Sequence, residues 1–109
     1  MGPSVAVLLA ATADVIIGQR LPEPVRVDVS AGTRGSALDV EVATHVQLSA
    51  WSRVLGLIRR PWSSQPYVSN GSLCQLTNVY GRWRDARVRL HCLEPVDAIA
   101  VLRDEEPPW

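Results

Sequence analysis

Val25-Arg26-Val27-Asp28-Val29, then Leu38-Asp39-Val40-Glu41-Val42, then Thr44-His45-Val46-Gln47 follow one another along the chain, and their reading decides the fold. In the first two, aliphatic and charged residues alternate with period two. A strand built this way turns its aliphatic side chains to one face and its charges to the other, as a half-buried strand requires. Ser30 to Ser36 between them, with Gly32 and Gly35, reads as a hairpin loop and makes the two strands antiparallel neighbours. The third stretch has the spacing of a capping box, in which the side chains of Thr44 and Gln47 satisfy backbone N–H groups at a helix start.

A helix is therefore expected from Thr44. Leu48, Trp51, Leu55 and Ile58 recur at spacings of three and four, with Val54 beside them, and form an apolar stripe about three turns long. Arg59-Arg60-Pro61 supplies a cationic end and a stop. Residues 62–72, with Pro66, Gly71 and several Ser residues, read as an irregular surface connection. Leu73–Trp83 and Arg87–Leu93 read as two strands joined near Arg84-Asp85-Ala86, since Val88, Leu90 and Cys92 alternate with Arg87, Arg89 and His91. Pro95 to Arg103 fits either a short helix or a last strand.

At the other end, Ser4 to Ile17 is almost unbroken apolar sequence, so periodicity does not separate helix from strand; its alanines favour helix. It is too short to span a bilayer, and no cation precedes it as in a secretory leader. Gly18, Pro22 and Pro24 then enforce an extended link. The expected organisation is an apolar segment over residues 1–21, one α+β domain over 22–103 and an acidic, proline-rich tail over 104–109. The fold class is α+β: a small antiparallel sheet of about four strands in the order β-β-α-β-β, with one amphipathic helix packed on one face.

The chain of 109 residues has 47% hydrophobic and 20% charged residues, enough apolar side chains for a packed core and unlike the composition of disordered segments. Eleven basic residues balance eleven acidic ones, so no net field draws the whole molecule to nucleic acid or to an anionic membrane, and any electrostatic recognition is local. Every basic residue is Arg and Phe is absent, a bias that a GC-rich bacterial, phage or plasmid genome explains without function. Cys74 and Cys92 allow at most one disulfide and are expected as reduced, buried thiols of a cytoplasmic protein.

Three sites compete for a function. Gly81-Arg82-Trp83-Arg84-Asp85-Ala86-Arg87-Val88-Arg89-Leu90-His91 places Arg82, Arg84, Arg87, Arg89 and His91 on one hairpin, where guanidinium forks could grip phosphate and Trp83 or Tyr80 could stack a base. The plain structural alternative is a solvated sheet face neutralised by Asp85 or by the acidic tail. Arg59, Arg60, Trp62 and Tyr67 form a second set, suited to anchoring a protein partner. His45 is a third candidate, as a general base with Cys74 as a nucleophile, although its place in the first turn of the expected helix explains it better. Neither cofactor nor metal is expected: His91 and Cys92 are adjacent and point to opposite faces of a strand, which excludes one zinc ion taking both. Asp39 and Glu41 share a strand face and read as solvent-facing rather than as an acid/base couple.

The order of these parts, with Trp51 on the helix and Trp83 before Val88-Arg89-Leu90-His91, resembles small actinobacterial and mobile-element α+β proteins over about residues 22 to 93. That resemblance implies no activity and carries over no catalytic residue. The expected role is a non-enzymatic protein-interaction or regulatory module acting with a protein partner or as a homodimer, away from membranes. DNA or RNA binding through the Arg hairpin stands second, and a small enzyme using His45 third.

Overall fold

The computed structural model describes residues 3–57 and 62–96. In chain order the elements are α1 (Val5–Gly18), β1 (Arg26–Gly32), β2 (Gly35–Val42), α2 (His45–Leu55), β3 (Trp62–Ser63), β4 (Tyr67–Ser69), β5 (Ser72–Trp83) and β6 (Ala86–Pro95). The class is α+β, as expected. The strands form one sheet in the order β1-β2-β6-β5-β3, and β4 pairs with β5 beside β3.

Two features of the sheet correct the sequence reading. It is mixed rather than antiparallel, because β2 and β6 run parallel, Leu38 opposite Val88 and Val40 opposite Leu90. That arrangement follows from the connection. α2 carries the chain across one face, and β6 returns beside β2 rather than beside β1. Secondly, residues 62–72 are not wholly irregular: β3 pairs with Thr77 and Asn78, and β4 with residues 72–74, so part of this stretch lends its backbone hydrogen bonds to the edge of β5. The hairpin loop is also tighter than expected. Ser30, Ala31 and Gly32 pair with Ala37, Ser36 and Gly35, leaving Thr33 and Arg34 as the turn.

Residues 4–17, which the sequence left open, are helical. Ser4 caps α1 by accepting from the Val7 N–H, and Leu8, Ala11 and Thr12 are buried against the sheet. The Thr12 hydroxyl donates to the Leu8 carbonyl at 2.7 Å, which satisfies it inside the apolar layer. No helix among the described residues is long and apolar enough to cross a membrane.

The capping box at α2 forms: Thr44 Oγ1 accepts from the Gln47 N–H at 3.2 Å, and Gln47 Oε1 accepts from the Ala43 N–H at 3.0 Å. Gly56, not Arg59-Arg60-Pro61, stops this helix. With φ 70° it takes the left-handed conformation that a residue lacking Cβ adopts without penalty, and its N–H bonds back to the last turn. Ile58 lies outside the described residues, and Val54, beside the stripe, is exposed. Leu57 takes the missing place in the core. Its backbone N–H donates to Ser52 and its carbonyl accepts from the Ser52 hydroxyl.

The core lies between the helices and one face of the sheet. Leu38, Val40 and Val42 of β2, Val88, Leu90 and Cys92 of β6, and Val79 of β5 meet Leu8 from α1 and Leu48, Trp51 and Leu55 from α2. Gly81 keeps β5 close to this layer, since a Cβ there would stand 2.5 Å from Leu57 Cδ2. Val25 is 60% exposed and precedes β1, so Val27 and Val29 alone of the first Val triplet pack against the core.

Candidate functional site

Every strand has a second face, and on it no helix packs among the described residues. Strand alternation and register place Arg26 and Asp28 of β1, Asp39 and Glu41 of β2, Arg87, Arg89 and His91 of β6, and Asn78, Tyr80 and Arg82 of β5 on that face. Chemically it divides in two.

The first half is a crosslinked charge cluster. Arg89 donates from Nη1 to Asp39 Oδ2 at 3.3 Å and from Nε to Asn78 Oδ1 at 3.1 Å. His91 Nε2 lies 2.7 Å from the other carboxylate oxygen of Asp39, but the contact lacks hydrogen-bond alignment and both atoms are buried without another partner. Proximity of opposite charge holds this pair when the imidazole is protonated. Arg26 reaches Asp28 at 3.0 Å and Glu41 at 4.0 Å, both on the exposed side of the sheet, where such pairs contribute little to stability. Asp39 is thus not simply solvent-facing, as its sequence suggested. The parallel pairing sets β6 beside β2 and brings Arg89 and His91 to it.

The second half is the end of the hairpin. Arg82 and Arg87 are directly opposite one another in the β5–β6 register, and both are exposed. Among the described residues no carboxylate lies within ion-pair distance of either, or of Arg84. Asp85 pairs with none of them. Tyr80, Gly81, Arg82, Arg87 and Val88 line a shallow open depression here: the backbone of Gly81 and Val88 forms its floor and the other three side chains stand around it. Arg84 is set apart at the turn, its guanidinium 5.3 Å from the centre of the Trp83 ring. The turn itself holds Arg84 and Asp85 at φ 52° and 62°, a left-handed pair of the kind that matches the twist of a two-residue hairpin but usually takes Asn or Gly.

Of the five hairpin cations singled out in the sequence, the structure thus brings Arg82 and Arg87 together, ties Arg89 and His91 to Asp39, and leaves Arg84 over Trp83. Tyr67 is 41% exposed on β4, opposite Cys74. Arg59 and Arg60 lie outside the described residues, and so does the side chain of Trp62, whose backbone belongs to β3.

A separate polar constellation occupies the helix-bearing face, at the start of α2. His45 Nδ1 bonds to Glu94 Oε2 of β6, which also accepts the His45 backbone N–H at 3.2 Å. On its other side, His45 Nε2 is 2.6 Å from the hydroxyl of Thr77, which is 3.0 Å from the hydroxyl of Ser63. Thr77 is buried, while His45 and Glu94 remain partly open to solvent. Sequence reasoning named His45 but missed Thr77, Ser63 and Glu94. Thr77 and Glu94 occupy positions where strand alternation expects an apolar side chain, in step with Val79 and with Leu90 and Cys92, and that break in the pattern was the available signal.

The thiol first paired with His45 does not join it. Cys74 lies on the helix-free face, whereas Cys92 lies on the core face opposite Thr77. Both are free and buried. Burial pushes the Cys92 thiol up to about 11, with the Glu94 charge adding to it, so Cys92 stays protonated and unreactive. Among the described residues no group of three or more His, Cys, Asp or Glu side chains could hold a metal ion. Comparison with protein-family models, with curated proteins and with solved structures found no match.

The His45 side-chain hydrogen bond holds the Glu94 carboxyl below the usual carboxylate range, against the opposing effect of burial. A carboxyl whose folded value is depressed stabilises the fold above its unfolded titration range, and this contribution disappears as pH falls through the folded value. Glu94→Gln is therefore expected to lower the urea midpoint at neutral pH and to flatten its acid limb, the two proteins converging in acid. Urea midpoints measured across the acid range check this; parallel curves would show that the pair contributes no linkage.

Proposed function

We propose that this chain is a protein-interaction module whose helix-free sheet face docks an acidic group of a protein partner between Arg82 and Arg87. The observation that carries this reading is that cross-strand pair, exposed, free of carboxylate neighbours among the described residues and set beside Tyr80 over a backbone floor. Two arginines paired across neighbouring strands, about 5 Å apart at their Cβ atoms, suit a carboxylate or a phosphorylated side chain, each offering several acceptor oxygens to forked donors. Tyr80 adds an amphipathic ring of the kind enriched where binding energy concentrates.

Mixed charge on the rest of the face favours a protein over a nucleic acid. On the neighbouring β2, Ala37 pairs with Arg87, while Asp39 and Glu41 follow two and four residues along opposite Arg89 and His91, and Asp28 stands one strand further, opposite Asp39. A continuous polyanion laid across the sheet would meet these carboxylates. A protein surface can present opposite charges to both halves, which fixes register as well as affinity.

Binding of fluorescent polyglutamate and of a single-stranded oligonucleotide, measured across a salt series, tests this. The expected result is polyglutamate binding lost in the Arg82→Ala, Arg87→Ala double variant, and oligonucleotide binding that is weaker at every salt concentration. Tighter oligonucleotide binding with a steep counterion-release slope would replace the protein-partner reading by a nucleic-acid one. No binding of either probe would remove the cationic end from consideration.

A further inference from the structure

The four groups at the start of α2 form a directional hydrogen-bond chain. Ionised Glu94 only accepts, so His45 donates to it from Nδ1–H. In a neutral imidazole the other nitrogen then has a lone pair and no proton, and the 2.6 Å contact is a bond donated by the Thr77 hydroxyl to His45 Nε2. With its proton committed, Thr77 Oγ1 meets Ser63 as an acceptor, and the Ser63 hydroxyl donates across 3.0 Å. Every bond in the series runs the same way, from Ser63 through Thr77 and His45 to Glu94. The chain begins on an exposed residue.

Helix capping accounts for Glu94, whose Oε2 also accepts the His45 backbone N–H, but not for the Thr77 and Ser63 hydroxyls on the other side of the ring. The geometry points to Ser63 as a nucleophile for acyl transfer, primed through Thr77 by the His45–Glu94 pair, with small activated esters as its substrate class. This proposal stands apart from the anion-docking one, which concerns the opposite face of the sheet. Ser63 bonds to the substrate and Thr77 Oγ1 exchanges protons with it; His45 and Glu94 act through Thr77.

In the step proposed, Ser63 Oγ bonds to the ester carbonyl carbon while its proton passes to Thr77 Oγ1 and the proton of Thr77 passes to His45 Nε2. The resulting imidazolium lies against the Glu94 carboxylate, the arrangement that stabilises such a cation in hydroxyl–imidazole–carboxylate sites generally. Collapse of the tetrahedral adduct breaks the bond to the leaving alcohol, whose oxygen takes the proton of Thr77 Oγ1 as His45 Nε2 returns its own to Thr77. Water then attacks the acylated serine by the same two movements, releasing the acid and restoring Ser63. Cys92, near by on β6, does not compete, since its thiol stays protonated.

Protonation reverses the chain. An imidazolium donates from Nε2 to Thr77, Thr77 then donates to Ser63, and the primed state is lost. Glu94 and Cys92 are the titratable groups that face His45 from β6; β3 and β5 contribute only the two hydroxyls.

Covalent labelling by p-nitrophenyl acetate and by a fluorophosphonate, located by peptide mass spectrometry, reads the first step alone. Ser64 is the internal control: it is the next residue, and its hydroxyl accepts from the Leu76 N–H instead of joining the chain. The expected result is labelling of Ser63 about 10²-fold faster than of Ser64. Thr77→Val should reduce it to the Ser64 level and Thr77→Ser should restore it. Equal labelling of the two serines in the unaltered protein overturns the proposal without recourse to any variant that might fail to fold.

Discussion

Trp51→Ala is expected to cost about 3–5 kcal/mol of folding stability, the range for emptying a large aromatic site in a core that relaxes only partly. Trp51 is wholly buried and is the largest fully enclosed side chain among the described residues. It meets the sheet from the middle of α2, and its indole N–H donates to the Pro22 carbonyl at 3.0 Å. One residue therefore joins the helix to the core and to the extended link between α1 and β1. A domain of this size has about 5–15 kcal/mol in all, so the variant should lose a large share of its stability and unfold at a much lower urea concentration. Trp51→Phe separates the two contributions: it keeps most of the volume and leaves the Pro22 carbonyl without its donor, at about 1–2 kcal/mol. Urea unfolding followed by circular dichroism measures both. A loss below 1 kcal/mol for Trp51→Ala would mean that the helix does not rest on this contact.

The largest effect on binding is expected from reversing the charge of both hairpin arginines. Arg82→Glu with Arg87→Glu puts two carboxylates where the acidic group of a partner should sit, so the attraction is not merely removed but replaced by repulsion. A loss of about 10²-fold or more in polyglutamate affinity is expected, exceeding that of the double alanine variant, with the urea midpoint nearly unchanged because both side chains are exposed. Applying the same reversal to Arg89 should act differently. Arg89 is bound to Asp39 and Asn78, so its replacement should reduce stability before it reduces binding. Should reversal of Arg82 and Arg87 leave affinity intact, the docking position would not lie between them.

Much of this architecture could be read locally because local chemistry decides it. Alternation in Val25–Val29 and Leu38–Val42 can be buried only as strands with the aliphatic residues on one side, and Thr44 with Gln47 satisfies a helix start before any partner is present. Trp51 follows from helical spacing, and the opposite facing of His91 and Cys92 from the two-residue period of a strand. Gly56 is as legible a stop as Arg59-Arg60-Pro61: an αL residue ends a helix at the position where it stands, whereas a proline only prevents one from continuing.

What the residues could not disclose is which strand lies beside which. Alternation assigns a face to each side chain but says nothing of neighbours across the sheet, since an antiparallel β1–β2–β5–β6 order would bury the same valines and leucines. Parallel pairing of β2 with β6 is a property of the whole packed molecule, chosen by the path that α2 forces on the chain, and it alone brings Asp39 to Arg89 and His91. Residues far apart in sequence meet in the same way at the other polar group, where Ser63, Thr77 and Glu94 converge on His45 only because β3, β5 and β6 are consecutive in the sheet. Composition and periodicity determined β1, β2, α2, β5 and β6 and their inner faces; the order of strands, and with it every long-range polar contact on either face, was decided by tertiary packing, because hydrophobic burial is indifferent to direction while hydrogen bonds and ion pairs act only over a few ångströms.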